Sequence, residues 1–158
     1  MLTYERAIEL LDYCPETGFL TWKVGRRTGG RAGNAHSTGY RCITIDGVEY
    51  KEHRVIWLVS YGEWPTDQID HANCSKADNR LVNLRMATAS LNQANKRMNK
   101  NNTSGFKGVT ATKDGDFKAF IRHSGKKLYL GRFATASEAH SAYAEKAEEL
   151  NGAFARAA

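Results

Sequence analysis

The sequence of 158 residues predicts an α+β protein built from two small modules, on three observations. Apolar residues alternate in short runs around turn dipeptides, helical periodicity recurs behind capping residues, and a polar, Asn-rich run from Met98 to Ser104 interrupts both patterns. A chain of this length buries one sizeable core or two modest ones. With the boundary in the polar run, the modules are residues 1–98 and 105–158, joined by a basic linker, 99–104.

Each element follows from local chemistry. Thr3 caps a short helix from Tyr4 to Asp12, with Ala7, Ile8, Leu10 and Leu11 on its apolar side. Glu16-Thr17-Gly18 turns the chain into a strand from Phe19 to Lys23, followed by a Gly- and Arg-rich loop to Gly33. In that loop Arg26, Arg27 and Arg31 either touch phosphate or stay solvated. Asp46-Gly47 suits the positive backbone angles of a tight turn, so Tyr40 to Lys51 reads as a β-hairpin. His53 to Tyr61 carries Val55, Ile56, Leu58 and Val59 at helical spacing and stops at Gly62 and Pro65.

Beyond the polar run, strands are expected at Phe106 to Thr112, Phe117 to His123 and Lys127 to Phe133, separated by Asp114-Gly115 and Ser124-Gly125 turns. Thr135 and Glu138 form a capping box for a helix whose Ala139, Tyr143, Ala147 and Leu150 share one face, with Gly152 at its end. A three-stranded antiparallel sheet packed on one helix buries both apolar faces. No internal repeat is evident.

The net charge of +6 and a sequence pI near 9.3 favour an acidic partner. From Asn79 to Lys113 there are seven Lys or Arg and no Asp or Glu, a stretch attractive to phosphate. Cys14, Cys42 and Cys74 are isolated and odd in number, so neither a structural zinc nor a disulfide framework is expected, and an intracellular, reducing setting fits best. No apolar run approaches a membrane span, and the N-terminus starts on a capped helix pattern instead of a signal peptide; no membrane partner and no secretion are expected.

The chemistry concentrates in IDHANCSKADNRLVNLRMATASLNQAN, Ile69 to Asn95. Singly, its Asp and Asn side chains suit caps and turns, and a lone His suits polar surface. Together, the pattern DH-x-N-x-x-x-x-DNR-x-x-NLR-x-AT, over Asp70, His71, Asn73, Asp78, Asn79, Arg80, Asn83, Leu84, Arg85, Ala87 and Thr88, resembles the HNH nuclease motif. The resemblance is to phage-type homing endonucleases and implies a ββα-metal (His-Me finger) element over about residues 66–98. It implies His71 as general base, oriented by Asn83 or by a backbone carbonyl that Asn83 positions. Asp70 and Asn92, the latter on a helix capped by Thr88, are then the metal ligands. Such a sparse oxygen set suits Mg²⁺, with Mn²⁺ able to substitute, and its shell is completed by water and substrate phosphate. Two departures are visible: Cys74 and Ser75 stand where the family often has Gly and an acidic residue, and Asn92 replaces the final His. His53 and Arg54 match the HR that commonly precedes the motif, with Arg54 a phosphate contact and His53 structural. Asn79 and Arg80 hold the loop, and Arg80 is also a candidate for backbone phosphate. Lys96 and Arg97 extend the basic surface toward DNA.

Ser104 to Ala155 resembles the plant Apetala-type, or ethylene-response-factor, DNA-binding domain. The resemblance rests on Gly105-Phe106-Lys107-Gly108-Val109, Tyr129-Leu130-Gly131-Arg132-Phe133 and the Ala- and Tyr-containing helix before Asn151-Gly152. It implies a sheet face in the major groove of double-stranded DNA. Lys107, Arg122, Lys127 and Tyr129 match DNA-facing positions, and Thr110 and Thr112 occupy sites where the plant proteins often have Arg. Phe120 shares a strand face with Lys118 and Arg122, so it either contacts a thymine methyl or packs on linker residues; Tyr129 is divided in the same way, and Phe133 belongs to the core.

The function these resemblances imply is a metal-dependent DNA endonuclease, a phage homing enzyme that nicks or breaks sites located by its C-terminal module. The alternative is a noncatalytic sequence-specific DNA-binding regulator on a degenerate HNH scaffold, against which the intact Asp70, His71, Asn83 and Asn92 argue. RNA binding ranks last, because only Phe120 and Tyr129 offer stacking surfaces. No protein partner is implied, a monomer is compatible with this reading, and a phage-encoded enzyme would act in the host cytoplasm.

Overall fold

The computed structural model describes residues 1–99 and 101–156; Lys100 of the expected linker and the last two residues of the expected C-terminal module lie outside the described residues. The architecture is α+β, in two compact units, Met1–Ala87 and Thr88–Ala158.

In the first unit, α1 (Tyr4–Leu10) starts where Thr3 Oγ1 accepts from Arg6 N at 3.3 Å. It stops before the expected Asp12 because Leu11 begins β1 (Leu11–Cys14), which pairs antiparallel with β2 (Phe19–Trp22). Leu11 is buried, as it would have been in a helix, so apolar spacing could not distinguish the two. The turn between these strands reaches Gly18, at φ +72, where an added Cβ would lie 2.5 Å from Arg80 N. The hairpin tip therefore packs directly on the Asn79–Arg80 peptide. Tyr13 of β1 adds two bonds there, its hydroxyl donating to Asn79 O (3.2 Å) and accepting from Leu81 N (3.0 Å).

A second sheet has the order β3 (Asn34–Ala35), β4 (Arg41–Ile45), β5 (Val48–Lys51), with β4 and β5 joined by the expected Asp46-Gly47 turn at φ 49 and 79. Helix α2 (Glu52–Tyr61) follows and ends at left-handed Gly62. Its Val55, Ile56 and Leu58 pack with Ala7, Leu11, Leu20, Ile43 and Ile45 in one core, each large side chain contributing roughly 1.5–3 kcal/mol by leaving water. Glu52 is wholly buried in the same region. Arg41 Nε donates to Glu52 Oε2 at 2.6 Å and Arg41 Nη2 to Gly33 O at 2.8 Å. Burial pushes the Glu52 carboxyl up, and Arg41 pulls it back toward the ionised form. Strands β6 (Gln68–His71) and β7 (Leu84–Ala87) pair antiparallel, bringing Asp70 opposite Arg85 and His71 opposite Leu84. Their connecting loop closes with a 3₁₀ turn, Leu81–Asn83.

In the second unit, α3 (Ala89–Ala94) is capped by Thr88, whose hydroxyl accepts from Leu91 N at 3.3 Å. Strands β8 (Val109–Ala111), β9 (Phe117–His123) and β10 (Lys126–Phe133) form an antiparallel sheet in the order β10-β9-β8, with a bulge between Tyr129 and Gly131. Helix α4 (Ala136–Asn151) opens with the reciprocal Thr135–Glu138 capping box. Ala139 of α4 packs with Val109 and Ala119, and Tyr143 and Ala147 pack with Ile121.

Three expectations change here. The division falls after Ala87, not in the polar run after Met98, because α3 packs on β9 and α4. Lys107, expected to face DNA, instead donates from Nζ to the carbonyls of Ala94 (2.8 Å), Lys96 (2.7 Å) and Arg156 (2.7 Å), tying residues 94–96 to this unit. The strand expected at Phe106 to Thr112 contracts to Val109–Ala111, since Gly105 and Gly108 both have positive φ. A Cβ on Gly108 would be driven into the Tyr143 ring, so only glycine permits that close approach.

Close packing adds to backbone strain at Gly18 and Gly108, whereas Gly47 shares the positive φ but has open space around it. In equilibrium urea unfolding, Gly18→Ala and Gly108→Ala should each lose about 2 kcal/mol or more, and Gly47→Ala about 1 kcal/mol.

Candidate functional site

Asp70 and His71 end β6 and are 5% and 4% exposed. Strand pleating sends successive side chains to opposite faces, so each requires its own partner. Asp70 finds its partner across the ladder: Arg85 Nε and Nη2 lie 2.9 and 2.8 Å from Asp70 Oδ2. His71 finds its partner in the loop, with Nε2 3.0 Å from Oδ1 of Asn79, a residue only 1% exposed. The His71 ring also meets His53 of α2 edge-on at 5.1 Å between centroids.

Burial lowers the pKa of His71, opposed chiefly by the Asn79 oxygen and then by the Asp70 charge. His53 is pushed down to about 3, by burial first and by the neighbouring His71 second. Both imidazoles are therefore favoured in the neutral form.

The resemblance implies that His71 is oriented by Asn83 or by a backbone carbonyl that Asn83 positions; the Asn83 side-chain amide itself is committed to the loop. Its Oδ1 accepts from Asn73 N (2.9 Å), its Nδ2 donates to Asp78 O (2.7 Å) and its carbonyl accepts from Ala72 N (2.9 Å). Asn79 makes the contact to the imidazole, on a loop whose shape Asn83 sets. Within that loop Cys74 takes a left-handed conformation, φ 59, supported by Ser75 N donating to Asn73 Oδ1 at 2.8 Å. Here Cys74 occupies the backbone state that the family's usual glycine would take without strain.

Several expected phosphate contacts are engaged internally. Arg80 grips Asp78 with both arms, Nε to Oδ1 at 2.8 Å and Nη2 to Oδ2 at 2.6 Å, which holds that carboxyl down at about 2. Arg54 donates to the carbonyls of Asp67 (3.2 Å) and Pro65 (3.3 Å), fixing the approach to β6. Thr112 lies past the end of β8, with its hydroxyl oxygen buried.

In the second unit, the expected face is assembled on β9 and β10. Phe120 pairs across the ladder with Tyr129, and Arg122 with Lys127, so these four share one side of the sheet. Arg122, Lys127 and Tyr129 are exposed, as is Thr110, opposite Lys118 on the same face. Phe120 is half-buried, packed on its cross-strand neighbour Tyr129 at 5.3 Å with Lys127 Nζ 3.8 Å above its ring. Phe133 packs into the Val109 cluster, as expected. Lys96 and Arg97 are exposed beyond α3, and Asn92 is half-buried within it.

Sequence reasoning missed two partners, Arg85 for Asp70 and Asn79 for His71. The first could have been found by counting β6 against β7 as an antiparallel pair, which sets Asp70 opposite the Arg of NLR. The second depends on how the loop folds back, for which residue spacing carries no signal.

Residues 50–94 match the family described as HNH endonuclease. Over 147 residues the chain is 30% identical to an uncharacterized HNH endonuclease of Acanthamoeba polyphaga mimivirus, an alignment covering 92% of this chain and 70% of that protein. No solved structure matches the chain. With Asp70 and His71 ending β6 and Asn83 directly ahead of β7 inside the matched stretch, the chain belongs to the HNH endonuclease family.

Proposed function

We propose that this protein is a metal-dependent DNA endonuclease of the homing type, hydrolysing phosphodiester bonds to nick or break duplex DNA. The observation that carries the reading is the buried His71 imidazole whose Nε2 meets Asn79 Oδ1 at 3.0 Å. An amide oxygen only accepts, so Nε2 holds the ring proton and the basic lone pair belongs to Nδ1. His71 then takes a proton at Nδ1 from water while the water oxygen bonds to phosphorus. The bond from phosphorus to the leaving sugar oxygen breaks, and that oxygen is protonated from solvent. Asn79 Oδ1 accepts more strongly from the imidazolium than from the neutral ring, which stabilises the product of proton transfer.

The donor chemistry fits a hard divalent cation. Asp70 supplies a buried carboxylate oriented by Arg85, the kind of support that fixes a metal-binding side chain. Among the described residues no group of three or more His, Cys, Asp or Glu could hold a metal ion; by the resemblance, Asp70 and Asn92 would be the protein ligands, and water and phosphate would complete the shell. When bound, Mg²⁺ or Mn²⁺ neutralises charge on the phosphate and the leaving oxygen.

The second unit is the reader. Its exposed Arg122, Lys127 and Tyr129, with Phe120 and Thr110, face a DNA groove in the manner of the Apetala-type resemblance, and Lys96 and Arg97 add backbone contacts. A tethered reader raises the local concentration of DNA at the cutting unit without new catalytic contacts.

Incubation of supercoiled plasmid and phage genomic DNA with Mg²⁺ or Mn²⁺ tests this. Wild type should give open circles or discrete fragments, EDTA should abolish them, and His71→Ala should bind duplex DNA normally without cutting. Cutting by His71→Ala would overturn the mechanism; salt-sensitive binding without any cutting by wild type would favour a noncatalytic regulator. Arg122→Ala should weaken binding and make its salt dependence shallower by about one unit of logarithmic slope. Asn83→Ala should speed hydrogen exchange at the Asn73 amide and slow cleavage, leaving exchange in α4 unchanged.

A further inference from the structure

Three side chains outside this mechanism gather beside His71. Tyr40, immediately before β4, places its ring 6.0 Å from His71 and 5.3 Å from His53. Lys51, at the end of β5, holds Nζ 4.7 Å from the Tyr40 ring centroid, and Lys76, from the β6–β7 loop, holds Nζ at 4.6 Å. Both lysines are exposed and Tyr40 is half-buried. Lys76 is further steadied by donating to Thr38 O at 2.9 Å.

The ring quadrupole attracts each ammonium but neutralises neither. Among the described residues, no carboxylate lies within salt-bridge distance of Lys51 or Lys76. Both ammonium groups thus lie against one aromatic ring, next to a buried imidazole, and neither has a carboxylate partner among the described residues. Elsewhere in this unit, side-chain cations of Arg41, Arg80 and Arg85 meet carboxylates. Burial and the nearby Asp70 charge raise the pKa of Tyr40, so its hydroxyl stays protonated as a donor.

We propose that Lys51, Lys76 and Tyr40 form a phosphate clamp that seats the DNA backbone against His71. The clamp rests on the nuclease reading for its purpose and on its own geometry for its ligand, a phosphodiester. Two ammonium groups supply the charge, and the Tyr40 ring fixes their spacing. A phosphate oxygen that meets these ammonium groups makes charge-assisted hydrogen bonds, which favours binding at this point.

The test uses the full chain carrying both Lys51→Gln and Lys76→Gln, which removes charge while keeping the side-chain stems. Affinity for a DNA duplex is followed by fluorescence anisotropy over a salt series, with Ca²⁺ in place of Mg²⁺. The double variant should show a slope shallower by about 0.9, the value for the one phosphate that is no longer neutralised. Lys146→Gln, whose ammonium already pairs with Glu149 at 2.6 Å, should leave the slope unchanged. As a local readout, a DNA dinucleotide carrying one phosphodiester should shift the Tyr40 and His71 ring resonances of wild type and not of the double variant. An unchanged slope with unchanged ring shifts, in a variant that melts like wild type, overturns the clamp. Neither readout requires cleavage, so a wild type that binds in this way but never cuts would overturn the nuclease reading while leaving the clamp standing.

Discussion

Asn83 braces the β6–β7 loop, and the place of Asn79 against His71 depends on that loop. Asn83 bonds to Asn73 near the start of the loop and to Asp78 in its middle, while its own carbonyl takes the Ala72 N–H. The position demands one donor and one acceptor on a short fork, which an amide supplies; a carboxylate would set an anion against the Asp78 carbonyl. Asn79 follows Asp78 directly, so the same bracing decides where Asn79 Oδ1 meets His71. From the opposite side the Gly18 turn and the Tyr13 hydroxyl press on residues 79–81. A hairpin distant in sequence thus contributes to the orientation of a single imidazole.

The first unit also divides its cations by what their geometry can hold. Arg41, Arg54, Arg80 and Arg85 place planar guanidinium groups on carboxylates or carbonyls, fixing strands and turns. Lys51 and Lys76 remain exposed. In the second unit Lys107 shows that type alone does not decide: three carbonyls occupy its ammonium, so it contributes to the long-range field without being available for contact. Net charge reports the field around the molecule and says little about which cations touch a ligand.

That distinction explains what was legible in the sequence. The Asp46-Gly47 hairpin, α2, the Thr135–Glu138 capping box, and β9 and β10 followed from short-range chemistry and agree with the structure within a residue or two. Asp70, His71 and Asn83 were singled out through the resemblance of their motif to the HNH nucleases. By contrast, β1 was concealed by a buried Leu11 that suits helix and strand equally, and the extent of β8 was set by Tyr143 packing on Gly108, a contact between residues 35 positions apart. The His71 contact of Asn79 and the carbonyl contacts of Arg54 were hidden for the same reason: each is defined by a partner that only the folded chain supplies, whereas Arg80 holds the loop as expected.

The two neighbouring imidazoles illustrate how little separates a base from a spectator. His53 and His71 lie 5.1 Å apart, and burial disfavours the charged form of both. His53 Nδ1 is buried without a hydrogen-bond partner, and nothing among its neighbours stabilises a proton there; its pKa is held down at about 3. His71 has the Asn79 oxygen at Nε2 and the Asp70 charge nearby, both of which pull its pKa back up against desolvation. A base in a nuclease must be neutral before attack and tolerate a proton afterwards, and only opposing influences of this kind allow both. In the proposed mechanism, one amide oxygen, positioned by the loop that Asn83 braces, therefore favours proton transfer at His71 and leaves His53 to packing.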